Sequence, residues 1–274
     1  MAEHAALLQL VRAARTLDGV AAEPTPDGVL LGGTDRAPVI PWAQIDTLLG
    51  DDDPLGPGPR QRLGLTFALH AAVRALGGEA ADVLARAARP LALPAGHRLH
   101  PGAAWVVDRV PGGALDLGVG VVRLLPGQDG AVPLPPDVAA AAGVAASPLW
   151  PGLRGLLERL SVFALDRIPG TGPQAGVLRS VGGCDALTLL GSPQVRERLA
   201  ACADGPGPTG DGPGTGAVEV AAPRRDRVWT GGAAADADYV RAVWLLTAPA
   251  ERGLPGPVRV TPATVAPSVA APAR

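Results

Sequence analysis

The alternation of apolar and polar residues is clearest over residues 103–125, where two apolar runs flank a proline-glycine-glycine turn at 111–113. Side chains on a β-strand point to alternate faces, so one face of the second run is wholly apolar. That face carries Leu115, Leu117, Val119 and Val121. On the other face, Gly118 and Gly120 leave gaps where a helix or another backbone can approach closely. We therefore predict a β-hairpin buried in the middle of a sheet and covered by leucine-lined helices.

Apolar residues recur at helical spacing in several other segments. We predict helices at residues 3–17, 43–49, 60–76, 80–89, 137–142, 147–164, 193–202 and 236–247. The expected inward faces include Phe163 and Tyr239. Residues 185–190 fit either a short helix capped by Asp185 or a returning strand.

Short alternating runs predict further strands at residues 28–33, 38–42, 177–181, 217–222 and 257–260. The first two flank the loop at 34–37 and are expected to form a hairpin. Because strands arrive mostly as hairpins with helices between them, the sequence favours an α+β fold over a doubly wound parallel sheet. We expect a mostly antiparallel sheet built from hairpins and packed by amphipathic helices.

The 274 residues are enough for one large domain or two small ones. We expect a single α+β domain over residues 1–265, followed by a disordered tail at residues 266–274. If the chain divides into two lobes, it divides near the proline- and alanine-rich stretch 126–147. Residues 51–59, rich in aspartate, glycine and proline, are expected to form a surface connection.

Composition disfavours two classes of partner. All 24 basic residues are arginine and asparagine is absent, a bias that indicates a GC-rich genome more than a function. A net charge of −2 gives no general attraction to nucleic acid or anionic lipid. The N-terminus lacks a secretory pattern, and the longest weakly polar stretch is broken by prolines. Cys184 and Cys202 fit a reducing cytosol at least as well as a single secreted disulfide, and we expect a soluble cytoplasmic protein that binds neither nucleic acid nor membrane.

Cys184 is the residue that most resembles a nucleophile. It follows two glycines and precedes a possible helix start, where the helix dipole lowers the pKa of a thiol. A catalytic cysteine also needs a positioned base, and none of the four histidines stands in a recognisable relation to it. The sequence therefore favours an ordinary core cysteine.

Histidine and aspartate patterns do not predict a metal site. His97 and His100 are three residues apart, but the surrounding glycine and prolines favour a loop, with no acid or cysteine nearby to complete a zinc set. The aspartates at 51–53 lack the spaced ligands of a calcium loop. His70 is interpreted as a partly buried, hydrogen-bonded histidine on the predicted helix 60–76.

Phosphate-binding patterns are equally weak, and we expect no cofactor. The glycine-rich stretch 204–216 lacks the lysine and the following helix of a phosphate loop. Arg224, Arg225 and Arg227 stand beside Trp229, a combination that can bind phosphate or stack on bases. Without a basic face elsewhere, a solvated strand or turn is favoured.

Two functional hypotheses remain. In the first, a non-catalytic protein binds an unidentified protein partner or small ligand in a cleft around the central hairpin. The candidate ligand-binding residues are Trp105, Arg109 and His97, with Asp108 beside them. This hypothesis is favoured because little reactive chemistry is visible, although enzymes often lack short motifs.

In the second hypothesis, a small hydrolase or transferase assembles its site from distant segments. The candidate catalytic residues are Cys184, Asp185, Asp108 and His100. Convergence of these groups within hydrogen-bond reach would favour chemistry, and scattered positions would favour the first hypothesis.

Overall fold

The structure, a computed structural model, describes residues 22–31, 39–49, 57–165, 177–203 and 216–268. Several predicted features lie outside these ranges: the helix at 3–17, the loop at 34–37, the aspartates at 51–53 and residues 204–215.

Helices and strands alternate along the described chain. Its α-helices are α1 (Trp42–Leu49), α2 (Pro57–Leu76), α3 (Ala80–Ala87), α4 (Pro136–Ala141), α5 (Ala146–Leu165), α6 (Ala186–Leu189), α7 (Pro193–Ala203), α8 (Gly232–Ala235) and α9 (Ala237–Leu246). Its strands are β1 (Ala22–Pro24), β2 (Gly28–Leu31), β3 (Val39–Pro41), β4 (Ala88–Leu93), β5 (Val106–Arg109), β6 (Asp116–Val121), β7 (Val132–Pro133), β8 (Val177–Arg179), β9 (Val218–Arg224), β10 (Arg227–Thr230), β11 (Val258–Val260) and β12 (Val265–Pro267). Single 3-10 turns occur at Gly77–Glu79, Ala103–Trp105 and Pro249–Glu251.

Antiparallel pairing confirms the α+β class. β2 lies between β1 and β3, β6 lies between β4 and β5, and the largest sheet has the order β12-β11-β9-β10-β8. Antiparallel register is seen for β2 with both neighbours, for β5 with β6, and throughout the largest sheet. The segment that fitted either a helix or a strand is helical, as α6.

The central hairpin forms as β5 and β6, but the predicted burial in the middle of a sheet holds for β6 alone, because β5 is a half-buried edge strand. Arg109 faces Asp116 across the pair, and the apolar face of β6 is buried. The turn closes through a hydrogen bond from the Gly113 N–H to the Val110 carbonyl at 3.3 Å. Gly112 has φ 104°, which a type II turn requires at this position.

Strand β4 is a correction to the predicted helix at 80–89. Helix α3 ends at Ala87 because Pro90 follows, and proline disrupts the helical hydrogen bonds. Leu91, Ala92 and Leu93 are fully buried in the strand. A short apolar run of this kind does not reveal by periodicity alone whether it is a helix or a strand.

Two aromatic residues predicted to point inward are exposed: Phe163 by 60% and Tyr239 by 50%. In α5 the buried positions follow helical spacing and exclude Phe163. They are Trp150, Leu153, Leu157, Ser161 and Ala164. In α9 the buried residue is Val240. Tyr239 precedes it and is rotated by about 100° around the helix axis, so it faces away from the buried side.

The chain forms two compact units that are interleaved in sequence. Unit 1 comprises residues 1–88, 98–105 and 121–148. In it, α2 packs against α1, α3, α4 and β2. Helix α2 begins at Pro57, so residues 57–59 are helical and do not belong to the expected surface connection. Proline is tolerated in the first turn of a helix because the N–H that it lacks would have no partner there.

Unit 2 comprises residues 89–97, 106–120 and 149–274. Helices α8 and α9 pack on β9, where Ala221, Ala234 and Val240 form a buried cluster, and α7 packs on β9 and β11. Strand β12 continues into the expected tail as far as Pro267. The single domain over 1–265 and a division near 126–147 stay predictions.

Gly112 is held against β12. The Val265 N–H donates to the Pro111 carbonyl at 2.7 Å, and a Cβ on Gly112 would collide with the Val265 carbonyl. We expect Gly112→Ala to lower the free energy of unfolding by about 2 kcal/mol, because positive φ and the clash act together. Gly96→Ala is the matched control, since a Cβ there meets open space. Urea unfolding measures both variants, and similar values for the two would contradict the docking of this turn.

Candidate functional site

A cavity of about 700 Å³ lies in unit 2. Its walls come from the turn of the central hairpin, the start of β9, the corner between α8 and α9, the segment leading into β11, and the end of β12. The lining residues are Gly113, Ala114, Glu219, Ala235, Ala237, Leu254, Pro255, Gly256, Pro257, Val258, Pro267 and Ser268. Several of these residues are exposed, so the cavity is open to solvent.

Backbone hydrogen bonds fix the walls of the cavity. The Leu254 N–H donates to the Ala222 carbonyl at 2.7 Å, and the Ser268 N–H donates to the Pro257 carbonyl at 3.1 Å. The α9 end of the corner is fixed by Asp236, whose carboxylate accepts from the Tyr239 N–H at 3.0 Å. Together with the docked hairpin turn, these bonds give a pocket that exists before any ligand arrives.

The lining is mainly apolar with two polar side chains. Glu219 carries the charge among the described lining residues. The hydroxyl of Ser268 is buried and has no hydrogen-bond partner among the described residues. An apolar pocket with a few polar groups is typical of small-molecule sites.

Glu219 is exposed and lies opposite Arg259 in the pairing of β9 with β11. Both residues belong to the described chain, and no ion pair joins their side chains. Strand alternation places Glu219 on the same face of β9 as Ala221, the residue that α8 and α9 cover. The carboxylate therefore lies on the helix-covered face, beside the α8–α9 corner.

None of the candidate residues from the sequence lines this cavity. Sequence reasoning missed Glu219 because a single acid in a strand is usually a solvated residue. Two signals were available: the alternation Val218-Glu219-Val220 in a strand with buried neighbours, and the dense prolines and glycines of residues 253–257.

Cys184 is fully buried, as expected of a core cysteine. Its Sγ lies 3.8 Å from the Pro90 carbonyl oxygen. Burial raises the pKa of the thiol, the neighbouring Asp185 raises it further, and Arg89 opposes the shift. A helix dipole would lower the pKa of the thiol, but here the pKa is raised. The reason is that α6 has only four residues and desolvation of the thiol dominates.

Asp185 forms a buried ion pair with Arg225. The Arg225 Nε donates to Asp185 Oδ2 at 2.8 Å, and Nη2 donates to the same oxygen. The two side chains are 13% and 8% exposed, respectively. Burial raises the pKa of the Asp185 carboxyl, while Arg225 lowers it. The carboxylate is thus committed to Arg225 and does not cap α6.

The buried position of Arg225 corrects the expectation of a solvated arginine turn. Arg224 and Arg227 are about half exposed, but Arg225 is drawn inward by its carboxylate partner. Its Nη1 also donates to the Ala250 carbonyl at 3.2 Å. Arg225 is therefore a buried structural residue, whereas Arg224 and Arg227 lie at the surface.

Asp108 and Arg109 belong to surface ion pairs in unit 2. Asp108 accepts from the Arg109 N–H at 2.8 Å and lies 3.8 Å from Arg154. The Arg109 side chain is 70% exposed and lies 3.1 Å from Asp116. Asp108 and Asp185 therefore serve different ion pairs.

The candidate histidines and Trp105 pack within the fold. His97, in unit 2, is buried in a loop, and its backbone N–H donates to the Pro94 carbonyl at 2.9 Å. In unit 1, His100 meets the buried Trp105 edge to face, with ring centroids 5.1 Å apart. His100 Nδ1 also accepts from the Gly102 N–H at 3.1 Å. The loop predicted around both histidines is confirmed.

His70 is confirmed as a buried, hydrogen-bonded histidine. Its Nε2 lies 2.8 Å from Asp137 Oδ2, and both side chains are largely buried. The pair joins α2 to α4 within unit 1. Sequence reasoning had no means of naming Asp137, which lies 67 residues away.

No cluster of three His, Cys, Asp or Glu side chains in the described residues is arranged to hold a metal ion. No helix in the same ranges has the length and apolar character needed to cross a bilayer.

Comparison with protein-family models, with curated proteins and with solved structures finds no match to this chain.

Removing the carboxylate charge of Asp185 is expected to destabilise unit 2. Asp185→Asn should lower the free energy of unfolding by about 3 kcal/mol, because a buried guanidinium loses the charge that two of its nitrogens contact. In the control Asp108→Asn, whose partner Arg154 is exposed, the loss should stay below about 1 kcal/mol. Urea unfolding compares the two, and equal losses would argue against a structural role for the buried pair.

The raised pKa of Cys184 predicts a loss of stability at alkaline pH. The chain has no lysine, so few other groups titrate there, and Cys202→Ser removes the second thiol. Above about pH 8.5 the unfolded thiol ionises while the folded thiol keeps its proton, so the free energy of unfolding should fall by about 1.4 kcal/mol per pH unit.

The control Cys202→Ser/Cys184→Ala should lack this slope. A disulfide-forming chromogenic reagent should label Cys184 only after unfolding. Rapid labelling of the folded protein at neutral pH would instead revive the nucleophile hypothesis.

Proposed function

We propose that the protein binds a small molecule with a largely apolar body in the cavity of unit 2, and that it acts by binding. The cavity of about 700 Å³ carries this proposal. Its size falls within the range of small-molecule sites, roughly 300–1,000 Å³, and its walls are fixed by backbone hydrogen bonds. This corresponds to the first hypothesis, with the site at the turn of the central hairpin and not at Trp105 and Arg109.

The contacts of the reactive side chains support binding over catalysis. Cys184 is buried with a raised thiol pKa, Asp185 is bound to Arg225, and Asp108 lies in a surface ion pair. A general base must reach the proton that it abstracts, and the described lining residues offer Glu219 without a partnering acid or nucleophile, since the Ser268 hydroxyl is buried. The hydrolase or transferase hypothesis stays a prediction that no described contact favours.

We further propose a reducing, cytoplasmic location and no role in nucleic-acid binding. Cys184 is a free thiol, which suits a reducing compartment. A net charge of −2 supports the absence of nucleic-acid binding, since binding a phosphate backbone needs a basic face.

Filling the cavity should abolish ligand binding. Adamantan-1-ol, a rigid neutral probe, is expected to bind with a dissociation constant in the millimolar range or tighter, of the order expected for a compact apolar molecule of its size. Ala237→Phe places a ring in the cavity and should weaken binding at least tenfold. Saturation-transfer NMR and calorimetry measure the binding.

The matched control is Ala242→Phe, on the same helix at an exposed position that does not line the cavity. It should bind the probe as the unmodified protein does. Melting temperatures establish that both variants keep the fold. Absence of probe binding to the unmodified protein, or equal weakening by both variants, would overturn the proposed function.

A further inference from the structure

We infer that the ligand of the unit 2 cavity is an organic cation, such as a protonated amine on an apolar body, and that Glu219 pairs with its charge. This inference rests on the proposed function. It assigns the ligand class through the electrostatics of the lining and the rim.

The lining offers negative charge and no positive charge. Glu219 is the ionisable side chain among the described lining residues, and the other side chains are apolar apart from Ser268. An anionic ligand would bring its charge beside this carboxylate without a compensating cation in the wall. A cation would gain a favourable interaction at the same place.

The rim next to Glu219 is also acidic. Ala237 lines the cavity at the α8–α9 corner, and Asp236 and Asp238 flank it in sequence. Asp236 caps α9 through the Tyr239 N–H, so its charge is fixed at the corner. Asp238 is exposed on the first turn of the helix. Both carboxylates bring negative charge to this corner, part of which offsets the positive end of the α9 dipole.

Arg252 and Arg259 are not among the lining residues of the cavity. The Arg252 guanidinium stacks on Trp244 at 4.3 Å and donates to the Leu245 and Thr247 carbonyls at 2.9 and 3.0 Å. Arg259 pairs directly with Glu219 across β9 and β11, so the two side chains lie on the same face of the sheet; Arg259 is exposed, is not a lining residue and forms no ion pair with Glu219. Glu219 therefore keeps a carboxylate with capacity to accept hydrogen bonds from a ligand.

Exposure of Glu219 limits the size of the effect. A carboxylate in contact with water interacts with a cation through a high effective dielectric, and salt screens the pair. We expect an amine to bind about fivefold more tightly than the matched alcohol, which is the range of a favourable exposed ion pair. The carboxylate analogue should bind more weakly than the alcohol.

Three probes of the same shape test the inference: adamantan-1-ol, adamantan-1-amine and adamantane-1-carboxylate. At neutral pH and low salt, calorimetry should rank the amine tightest and the carboxylate weakest. Glu219→Gln, which keeps the shape of the side chain, should remove the preference for the amine, so that the amine and the alcohol bind with similar affinity. Glu158→Gln, at an exposed position on α5, is the control and should keep the original ranking.

The outcomes separate the inference from the function on which it rests. If none of the probes binds, the proposed function is wrong and the inference falls with it. If the alcohol binds as tightly as the amine, or the carboxylate binds most tightly, the cavity is a binding site but the ligand is not a cation. If Glu219→Gln keeps the amine preference or weakens the alcohol equally, the assignment of Glu219 as the charge partner is overturned.

Discussion

The buried ion pair of Asp185 and Arg225 is the contact that organises unit 2. It joins the segment before α6 to the turn between β9 and β10, and the same guanidinium reaches the carbonyl of Ala250. Backbone bonds follow the same path, with the Leu187 N–H donating to the Arg225 carbonyl and the Arg225 N–H to the Glu251 carbonyl. Burying two charges is expensive, so the pair adds little net stability compared with an apolar core. Its effect is selective, because any packing that separates the charges leaves one of them buried alone.

The ion pair also constrains the position of the cavity wall, because Arg225 directly follows β9. The turn at Arg225 fixes one end of this strand, and Glu219 lies near its other end, between β10 and β11 in the sheet. The opposite wall is fixed by the docking of the hairpin turn on β12, where Gly112 allows the two backbones to touch. Neither contact involves a side chain that faces the ligand space. The rigidity of the site thus comes from interactions behind its walls, which lowers the entropic cost of binding.

Sequence reasoning found the elements whose signal is local. The hairpin β5–β6 follows from alternation and a proline-glycine turn, and α7 follows from the serine-proline start at residue 192. It missed β4 because a continuous apolar run has no alternation of polar and apolar residues that would distinguish a strand from a helix. It misplaced Phe163 because the α5 stripe also admits Ser161, a polar residue that is buried by donating to the Leu157 carbonyl at 2.7 Å. The Asp185–Arg225 pair spans 40 residues, and nothing in the order of residues indicates which aspartate an arginine will meet.

The same reasoning looked for function among reactive residue types, and the structure uses those residues mainly for the fold. Cys184, Asp185 and Trp105 are largely buried, and each is held in contacts that stabilise its own unit. A side chain whose polar groups are already engaged has little left to offer a ligand. Glu219 is the opposite case: its carboxylate is exposed, it forms no ion pair with the described residues, and it borders an apolar space that the surrounding backbone keeps open. In a chain without recognisable motifs, a polar side chain that borders a cavity and is not engaged by the fold is a better guide to function than residue type. Binding requires groups that do not already contact other parts of the protein.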